Sequence, residues 1–323
     1  MKLLTISIAA YNVEKYLEKT LTSLSGNRQL MDLLEVIVED DGSTDGTFNV
    51  AIDFQNRYPG IFRAIHKENG GYGSTINNSI RLAKGKYFKQ LDGDDWFDTE
   101  NFYSFLTFLN NRYEDLILTP YYNCFEDGSV KLIDHCENMS AVSSDISQLN
   151  TCQHIAMHEL AIKTSLLKNN NISITENCFY TDNEYTFFPL LYAKTVCRYN
   201  KPVYCYRLGR NGQSISLEGV NKHYKDSLAV AEKLFWAYND KKNDIVSVQM
   251  LLKRKICHIT DTAYTYHLLS GNKKEIEKFD KWTKKNFPDI YKITNSIKKV
   301  RLLRITKFHL FNFFRKNTLQ KWK

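Results

Sequence analysis

Four aspartates stand within seven positions in the stretch KQLDGDDWFD, at residues 89–98. Carboxylates this close repel one another, so a fold that keeps them together needs a neutralising charge. Hard divalent cations take oxygen ligands and leave coordination positions open for phosphate. The i, i+2 spacing of Asp92 and Asp94 therefore predicts a site for a divalent cation and a diphosphate. A solvated acidic turn is the alternative.

Two further polar loops carry groups that suit a nucleotide. In EDDGSTDGT, at residues 39–47, Asp40 or Asp41 can accept a hydrogen bond from a nucleobase N–H, although the same residues are ordinary turn and cap chemistry. NGGYGST, at residues 69–75, matches neither G-x-G-x-x-G nor G-x-x-x-x-G-K-[ST]. The sequence therefore does not favour a dinucleotide fingerprint or a P-loop.

The elements that must position these loops alternate between strand and helix patterns over roughly the first 120 residues. Apolar runs at 3–9, 34–39, 62–67 and 87–91 predict strands, and amphipathic helical stretches separate them. This order predicts an α/β fold with a mostly parallel, doubly wound sheet, in which ligands bind at the carboxyl ends of the strands. All the polar loops follow strands, so we expect them to converge on one edge of the sheet.

The later part of the chain is less regular. The further predicted elements are a strand at 116–122, a helix from Cys152 to Lys168, a helical stretch at 180–193, a strand at 196–207 and three helices between Asn221 and Phe287. The predicted domains are an α/β domain at 1–215, a helical appendage at 216–290 and a basic tail at 291–323.

Composition limits the class of protein. The chain has 323 residues, of which 43% are hydrophobic and 25% charged, as in a folded protein with a substantial core. The seven cysteines are scattered without a C-x-x-C pair, which predicts reduced thiols rather than a zinc site or a disulfide framework. Neither a cleavable signal pattern nor an apolar window of about eighteen residues is present, so we expect a cytoplasmic protein.

The positive charge is concentrated at the C-terminal end. Residues 291–323 contain ten Lys or Arg and no acid, which leaves −2 of the net +8 for the first 290 residues. Aromatic residues are interleaved with these cations, which predicts an amphipathic helix lying on the anionic inner face of a membrane. A helix packed on the core is the alternative, and nothing else in the chain indicates nucleic-acid binding.

The motifs together carry a family resemblance. The stretches SIAAYNVEKYLEKTLTSL, VIVEDDGSTDGT, ENGGYGSTIN and GKYFKQLDGDDWFD resemble, in this order, the family 2 nucleotide-sugar glycosyltransferases of the GT-A fold. The resemblance covers about residues 3–215. It implies inverting transfer of a sugar from a nucleotide-diphosphate donor, usually a UDP-sugar, with Mn²⁺ or Mg²⁺. The acceptor is expected to be a glycan or a lipid-linked molecule of cell-surface synthesis.

The resemblance also implies roles for individual residues. Contacts with the nucleotide-sugar are implied for Ala10, Tyr11, Glu14, Asp40 or Asp41, Asn69, Gly70, Gly71, Asp92, Arg207 and Arg210. The two arginines would neutralise the leaving diphosphate, although surface salt bridges explain either one equally well. Asp94 is the expected metal ligand, with Asp92 beside it. Contacts with the acceptor are expected for His158 and Trp96.

The catalytic base is expected at Asp182, about 90 residues after the D-x-D and before an aromatic-rich helix. Glu184 is the fallback, because the family's usual Glu-Asp pair reads Thr181-Asp182 here. The alternative for both is a helix N-terminal carboxylate favoured by the macrodipole. A second departure is Ile76, which stands where the family often has an arginine.

Other functions have less support. The Gln-x-x-Arg-Trp motif of processive synthases is absent from the sequence, which favours addition of a single sugar. A sugar-phosphate nucleotidyltransferase would need a GxGTR-type N-terminal loop, which the sequence lacks. A non-catalytic membrane- or polyanion-binding protein would have no need for all the acidic motifs.

Overall fold

The computed structural model of the chain describes residues 2–139, 141–209 and 216–322. They form two compact units, Met1–Gly209 and Arg210–Lys323. The strands lie in the first unit, and the described part of the second is built from helices. The domain boundaries expected at residues 215 and 290 remain predictions.

The first unit holds two sheets and the helices around them. Its strands are β1 Leu4–Ala10, β2 Leu34–Asp40, β3 Phe62–His66, β4 Tyr87–Asp92, β5 Trp96–Phe97, β6 Leu116–Leu118, β7 Tyr121–Phe125, β8 Val130–Ile133, β9 Ser144–Asp145, β10 Leu160–Lys163, β11 Thr195–Arg198 and β12 Tyr204–Leu208. Its helices are α1 Glu14–Thr22, α2 Arg28–Met31, α3 Thr47–Arg57, α4 Tyr72–Leu82, α5 Thr99–Leu109, α6 Thr164–Asn169 and α7 Asp182–Phe187. Short 3₁₀ helices span Ile146–Thr151, Met157–Glu159 and Phe188–Leu191.

The second unit contains α8 Leu217–His223, α9 Asp226–Lys241, α10 Gln249–Ser270, α11 Lys273–Asn286, α12 Pro288–Thr294, α13 Lys298–Ile305 and α14 Phe311–Trp322, with a 3₁₀ helix at Val246–Val248. Helix α10 is central to the unit, since α8, α9, α11, α12, α13 and α14 all pack on it. No helix among residues 2–139, 141–209 and 216–322 combines the length and the hydropathy needed to cross a bilayer.

The larger sheet has the strand order β3-β2-β1-β4-β10-β6-β11-β9, and the smaller has β5-β12-β7-β8. Strand β1 runs parallel to β2 and β4, and β2 runs parallel to β3. These strands are joined through α1, α3 and α4, so their carboxyl ends meet at one edge of the sheet. The predicted α/β fold with a mostly parallel sheet is confirmed.

Three predicted elements differ in the structure. The expected helix from Cys152 to Lys168 contains β10, which pairs antiparallel with β4 and β6. Burial of Leu160, Ala161 and Ile162 within the sheet outweighs their helical spacing. The strand expected at 116–122 is divided into β6 and β7, which lie in different sheets; the division falls at Pro120, which cannot donate to a ladder. The strand expected at 196–207 is likewise two strands, β11 and β12.

The prediction that all seven cysteines are reduced is wrong for one pair. Cys136 and Cys152 form a disulfide, with Cα atoms 4.5 Å apart. They are sixteen residues apart in sequence, a spacing that does not by itself predict a disulfide. The two cysteines meet because the chain between them folds back. Free thiols remain at Cys124, Cys178, Cys197, Cys205 and Cys257, and all but Cys257 are buried.

The C-terminal segment is not the continuous amphipathic helix that its sequence predicts. Helices α13 and α14 are separated at Lys307 and Phe308, which have φ angles of 47° and 59°. Hydrogen bonds from Lys307 N to Arg304 O and from Phe308 N to Leu303 O, of 3.0 and 2.7 Å, form a Schellman motif that ends α13. The chain therefore turns, and Phe308 and Phe311 pack into the helical unit.

Candidate active site

The loops after β1 and β2 are held together by hydrogen bonds. Asn12 N donates to Ser43 Oγ at 2.9 Å, and Thr44 N donates to Asn12 Oδ1 at 2.9 Å. Glu14 Oε2 accepts from Gly46 N at 3.0 Å. Of the residues predicted to contact the nucleotide here, Ala10 is buried and Tyr11 is 53% exposed. The structure thus brings these predicted contacts together at the carboxyl end of β1.

Asp40 and Asp41 have different environments. Asp40 accepts hydrogen bonds from Ser43 N at 3.2 Å and pairs with His66 Nδ1 at 2.6 Å. Asp41 is paired with Lys67 and accepts from Gly70 N at 2.9 Å. The predicted Asn69–Gly71 loop therefore lies beside Asp41 rather than Asp40. Lys67 and His66 were not identified from the sequence, because they become neighbours only when β3 pairs with β2.

The glycines of NGGYGST make room for another part of the protein. Gly71 has a φ of 78°, and a Cβ there would lie 3.1 Å from Asn177 N. Asn177 N also donates to Gly70 O at 2.7 Å. A Cβ on Gly73 would lie 2.0 Å from Thr175 O. The segment 174–177 thus crosses directly over this loop, which accounts for the glycines without invoking a phosphate cradle.

Replacing Gly73 by alanine is expected to lower the free energy of unfolding by about 1–3 kcal/mol, the usual cost of overpacking. Helix propensity alone would predict the opposite sign, because Gly73 lies in α4. Chemical denaturation measures the change. Gly60→Ala is the control: its Cβ meets nothing within 4 Å, so it should cost only about 1 kcal/mol for its left-handed φ. Equal stability of Gly73→Ala and the wild type would contradict the close approach.

The aspartates of KQLDGDDWFD occupy four distinct positions. Asp92 accepts from Tyr72 Oη at 2.8 Å, and Asp98 caps α5 by accepting from Asn101 N at 2.9 Å. Asp95 is only 1% exposed and accepts from Tyr204 Oη at 2.6 Å and from Arg207 N at 2.7 Å. Burial, followed by the charges of Asp92 and Asp94, raises the pKa of the Asp95 carboxyl well above its usual range. The repulsion that the sequence predicts is therefore present.

A candidate metal site lies in this cluster. Ligand atoms of Asp92, Asp95 and His158 all lie within 4.8 Å of one another. Burial lowers the pKa of His158 to about 3, so its imidazole is neutral and able to coordinate a metal. Among the described residues, His158 Nδ1 has no hydrogen-bond partner. Carboxylates with a neutral imidazole fit a divalent cation such as Mn²⁺. Asp94, the predicted ligand, is not one of these three residues; it precedes Asp95 in the sequence, and its role as a ligand remains a prediction.

Arg207 lies against the same loop. Its Nε donates to Asp94 O at 2.9 Å, and its guanidinium lies 4.8 Å from the ring centre of Tyr16 and 4.9 Å from that of Trp96. Lys19 Nζ lies 3.2 Å from the ring centre of Trp96. Trp96, predicted to contact the acceptor, thus has two cations as ring neighbours. The predicted Arg210 lies outside the described residues.

The two candidates for the catalytic base differ in burial. Glu184 is fully buried and accepts from Thr175 N at 2.8 Å and Thr175 Oγ1 at 2.7 Å, which anchors the segment that crosses NGGYGST. Asp182 is exposed at the start of α7. Burial is the main cause that raises the pKa of Tyr72 and of Tyr206, and the charges of both Asp92 and Asp182 add to it. The charge of Asp182 therefore affects the pKa of the same two hydroxyls as the charge of the acidic cluster does.

The sequence does not identify two buried side chains that contact the cluster. Tyr204 Oη donates to Asp95 and accepts from Asp92 N at 3.1 Å, so one hydroxyl holds both ends of the loop. Lys89 is fully buried and donates to His158 O at 2.7 Å. Burial lowers the pKa of Lys89 to about 7. Its position in an apolar strand could have identified Lys89 from the sequence, because a buried ammonium needs polar partners.

Tyr204→Phe is expected to weaken binding of a metal–nucleotide diphosphate by about ten-fold, the scale of losing a group that orients a metal ligand. The hydroxyl is the part that holds Asp95, while the ring continues to pack against Phe97 and His158. Titration calorimetry with UDP and Mn²⁺ measures the affinity. Tyr121→Phe, which keeps its ring 5.0 Å from that of His158, is the matched control and should bind normally. Wild-type affinity in Tyr204→Phe would show that the hydroxyl does not orient the site.

Comparison with known sequences gives a consistent family. The sequence profile described as glycosyl transferase family 2 matches residues 5–168. The uncharacterized glycosyltransferase MG060 of Mycoplasma genitalium is 25% identical over 265 residues, which cover 80% of this chain and 86% of that protein. The poly(ribitol-phosphate) beta-N-acetylglucosaminyltransferase TarS of Staphylococcus aureus is 23% identical over 66% of this chain, but the match spans 36% of TarS.

Comparison with solved structures gives the same fold. The structure of S. aureus TarS 1–349 in complex with UDP-GlcNAc has a TM-score of 0.70 at 17% identity, covering 98% of this chain and 92% of that one. The mannosyltransferase PcManGT from Pyrobaculum calidifontis, in complex with GDP-Man and Mn²⁺, has a TM-score of 0.54 at 14% identity, with coverages of 94% and 86%. The profile matches half of the chain, and the fold agrees with it. The chain belongs to glycosyl transferase family 2 and is a glycosyltransferase with the GT-A fold.

Proposed function

We propose that this glycosyltransferase moves a single sugar, with inversion, from a UDP-sugar to a hydroxyl of a glycan or lipid-linked acceptor in cell-surface polysaccharide or glycoconjugate synthesis. The complex of TarS with UDP-GlcNAc supports a UDP-sugar donor, and its name supports a surface-polymer acceptor. A second candidate donor class is GDP-sugars, because PcManGT was solved with GDP-Man. Family membership removes the support for a nucleotidyltransferase or a non-catalytic protein.

The observation that carries the proposal is the position of Asp182 relative to the acidic cluster. Both Asp182 and Asp92 influence the hydroxyls of Tyr72 and Tyr206, although they lie 90 residues apart in the chain. A carboxylate outside the cluster, exposed at the start of α7, is thus near enough to influence the same hydroxyls as the cluster does. This arrangement suits a reaction in which a base acts on one side of the sugar and the diphosphate leaves on the other.

The donor would be held by residues at the ends of four strands, β1 to β4. We assign the nucleobase to Asp41, Tyr11 and Asn69, and the ribose and diphosphate to Asp92 and Asp94. A divalent cation, Mn²⁺ or Mg²⁺, would neutralise the diphosphate charge as it develops. Asp92, Asp95 and His158, whose ligand atoms lie together, are proposed to hold it with the neighbouring Asp94. The Arg207 guanidinium, fixed at the Asp94 carbonyl, adds positive charge for the leaving group.

Asp182 would act as the general base. The acceptor hydroxyl forms a bond to the anomeric carbon as its proton passes to the Asp182 carboxylate, and the bond from that carbon to the diphosphate oxygen breaks. Attack occurs on the face opposite the leaving group, so the anomeric configuration is inverted. Glu184 is a poor candidate for this step, because both of its oxygens accept hydrogen bonds from Thr175.

A panel of nucleotide sugars tests the proposal. In the presence of Mn²⁺, a UDP-sugar should raise the melting temperature, since a ligand at about 100 times its Kd stabilises the folded state by about 2.7 kcal/mol. The same UDP-sugar should be hydrolysed slowly. ADP-sugars are the matched control and should have no effect. Stabilisation by GDP-sugars alone would replace the proposed donor class. NMR of a transfer product reports whether the anomeric configuration is inverted.

A further inference from the structure

The apolar side chains of the C-terminal segment include a buried set and an exposed set. Val300, Leu303, Phe308 and Phe311 are buried in the helical unit, and Phe308 stacks on Tyr264 of α10 at a ring-centre distance of 6.3 Å. The second set is exposed, with Ile305 at 70%, Leu310 at 38% and Phe313 at 59%. All three lie within nine residues of the basic C-terminal segment. Contiguous exposed apolar patches mark interaction surfaces on soluble proteins.

The backbone turns sharply between α13 and α14. Lys307 and Phe308 adopt left-handed backbone angles that L-residues other than glycine seldom take. The turn seats Phe308 and Phe311 against the unit while Ile305, Leu310 and Phe313 stay in solvent. The buried phenylalanines thus fix the position of the exposed apolar residues beside them in the chain. We call Ile305, Leu310 and Phe313 the exposed apolar set.

The charged residues of this segment are of one sign. Arg301, Lys307, Arg315 and Lys316 are exposed in it, and residues 291–323 contain no acid. Two other cations of the segment are engaged in ion pairs: Arg304 Nε with Asp280 Oδ1 at 2.6 Å, and Lys299 Nζ with Asp261 Oδ1 at 2.9 Å. The exposed cations, together with the apolar set, point to a partner with negative charge and an apolar interior.

We propose that the exposed apolar set inserts into the interface of an anionic lipid bilayer while the neighbouring cations contact its headgroups. Insertion of a few apolar residues combined with basic contacts is the usual physics of peripheral membrane binding. A symmetric contact with a second copy is disfavoured by charge, because residues 210–323 contain 25 Lys or Arg and 10 Asp or Glu. This proposal does not depend on which donor or acceptor the enzyme uses.

Vesicle co-sedimentation of the full chain tests the proposal. We expect binding to vesicles of phosphatidylglycerol and phosphatidylcholine, weaker binding at high salt, and little binding to phosphatidylcholine alone. The double variant Ile305→Ser, Phe313→Ser should reduce the partition coefficient by about ten-fold or more with an unchanged melting temperature. Val246→Ser, Met250→Ser is the matched control. These residues are 70% and 56% exposed in the same unit, so removing them tests surface hydrophobicity alone.

Three results would overturn the proposal. The first is equal binding of the double variant and the wild type, and the second is equal loss in the control pair. The third is a dimer in sedimentation velocity that the double variant dissociates, which would assign the surface to a second copy. Hydrolysis of a soluble donor is measured in parallel and should not change in the double variant. Failure of hydrolysis in the wild type would contradict the proposed function and leave the vesicle result standing.

Discussion

Asp182→Asn is expected to lower sugar transfer by about 10²- to 10⁴-fold, the usual contribution of a general base. A hydroxyl is a weak nucleophile until its proton is removed, and asparagine cannot accept that proton. Donor binding should be unchanged, because Asp182 lies at the start of α7 and outside the acidic cluster. The loss should therefore appear in kcat, with the Kd for UDP and Mn²⁺ at the wild-type value.

Glu184→Gln is the matched comparison, two residues along the same helix. Its carboxylate accepts from Thr175 N and Thr175 Oγ1, and a glutamine retains one acceptor oxygen. We expect a loss of stability of about 1–3 kcal/mol from the weakened buried contact and a much smaller loss of transfer. Near wild-type transfer in Asp182→Asn together with an inactive, folded Glu184→Gln would assign the base to Glu184. Normal activity in both would make the start of α7 structural.

The part of this site that the sequence predicts is the part set by local rules. Strands β1, β2 and β4 are recognisable from their own apolar residues, and each is followed by turn chemistry that must lie at the strand's end. Once the strands are parallel, the convergence of Asp41, Asp92 and Tyr11 on one edge follows from the fold class. No contact between distant residues is needed for this step.

The part that the sequence does not predict depends on long-range pairs. Asp95 looks like any other member of the acidic run, but its two partners, Tyr204 and Arg207, lie 109 and 112 residues away. They reach Asp95 because β12 pairs with β5, a two-residue strand too short to recognise from its sequence. The different environments of the four aspartates thus depend on contacts made by the smaller sheet.

The C-terminal segment shows the same limit. Its basic and aromatic composition is compatible both with a membrane surface and with packing on the protein. Phe308 and Phe313 have the same side chain, yet Phe308 is 6% exposed and Phe313 is 59% exposed. The left-handed turn at Lys307 and Phe308 makes this difference, and neither residue type predicts such a turn. Composition suggests the kind of surface, and the backbone determines which residues form it.

Removal of divalent cations by EDTA is expected to abolish both donor hydrolysis and transfer. Asp92, Asp94 and Asp95 lie within four residues, and a bound diphosphate would add further negative charge to the same place. Arg207 and Lys19, which lie against this loop, supply too little positive charge for three carboxylates and a diphosphate. Readdition of Mn²⁺ or Mg²⁺ should restore activity. Full activity in EDTA would mean that the protein's own cations balance the diphosphate.

Asp94→Asn locates this metal dependence within the cluster. When Mn²⁺ is present, we expect the affinity for UDP to fall by about 10- to 100-fold, because asparagine is an uncharged and weaker metal ligand. When Mn²⁺ is absent, the affinity should change little. Asp98→Asn is the matched control. Asp98 belongs to the same acidic run but caps α5 through Asn101 N, a role that asparagine fills equally well. Titration calorimetry of both variants, with and without Mn²⁺, makes the comparison. An equal loss in the two variants would mean that the run binds the donor through its total charge; a loss in Asp94→Asn that persists without metal would make Asp94 a direct contact of the nucleotide.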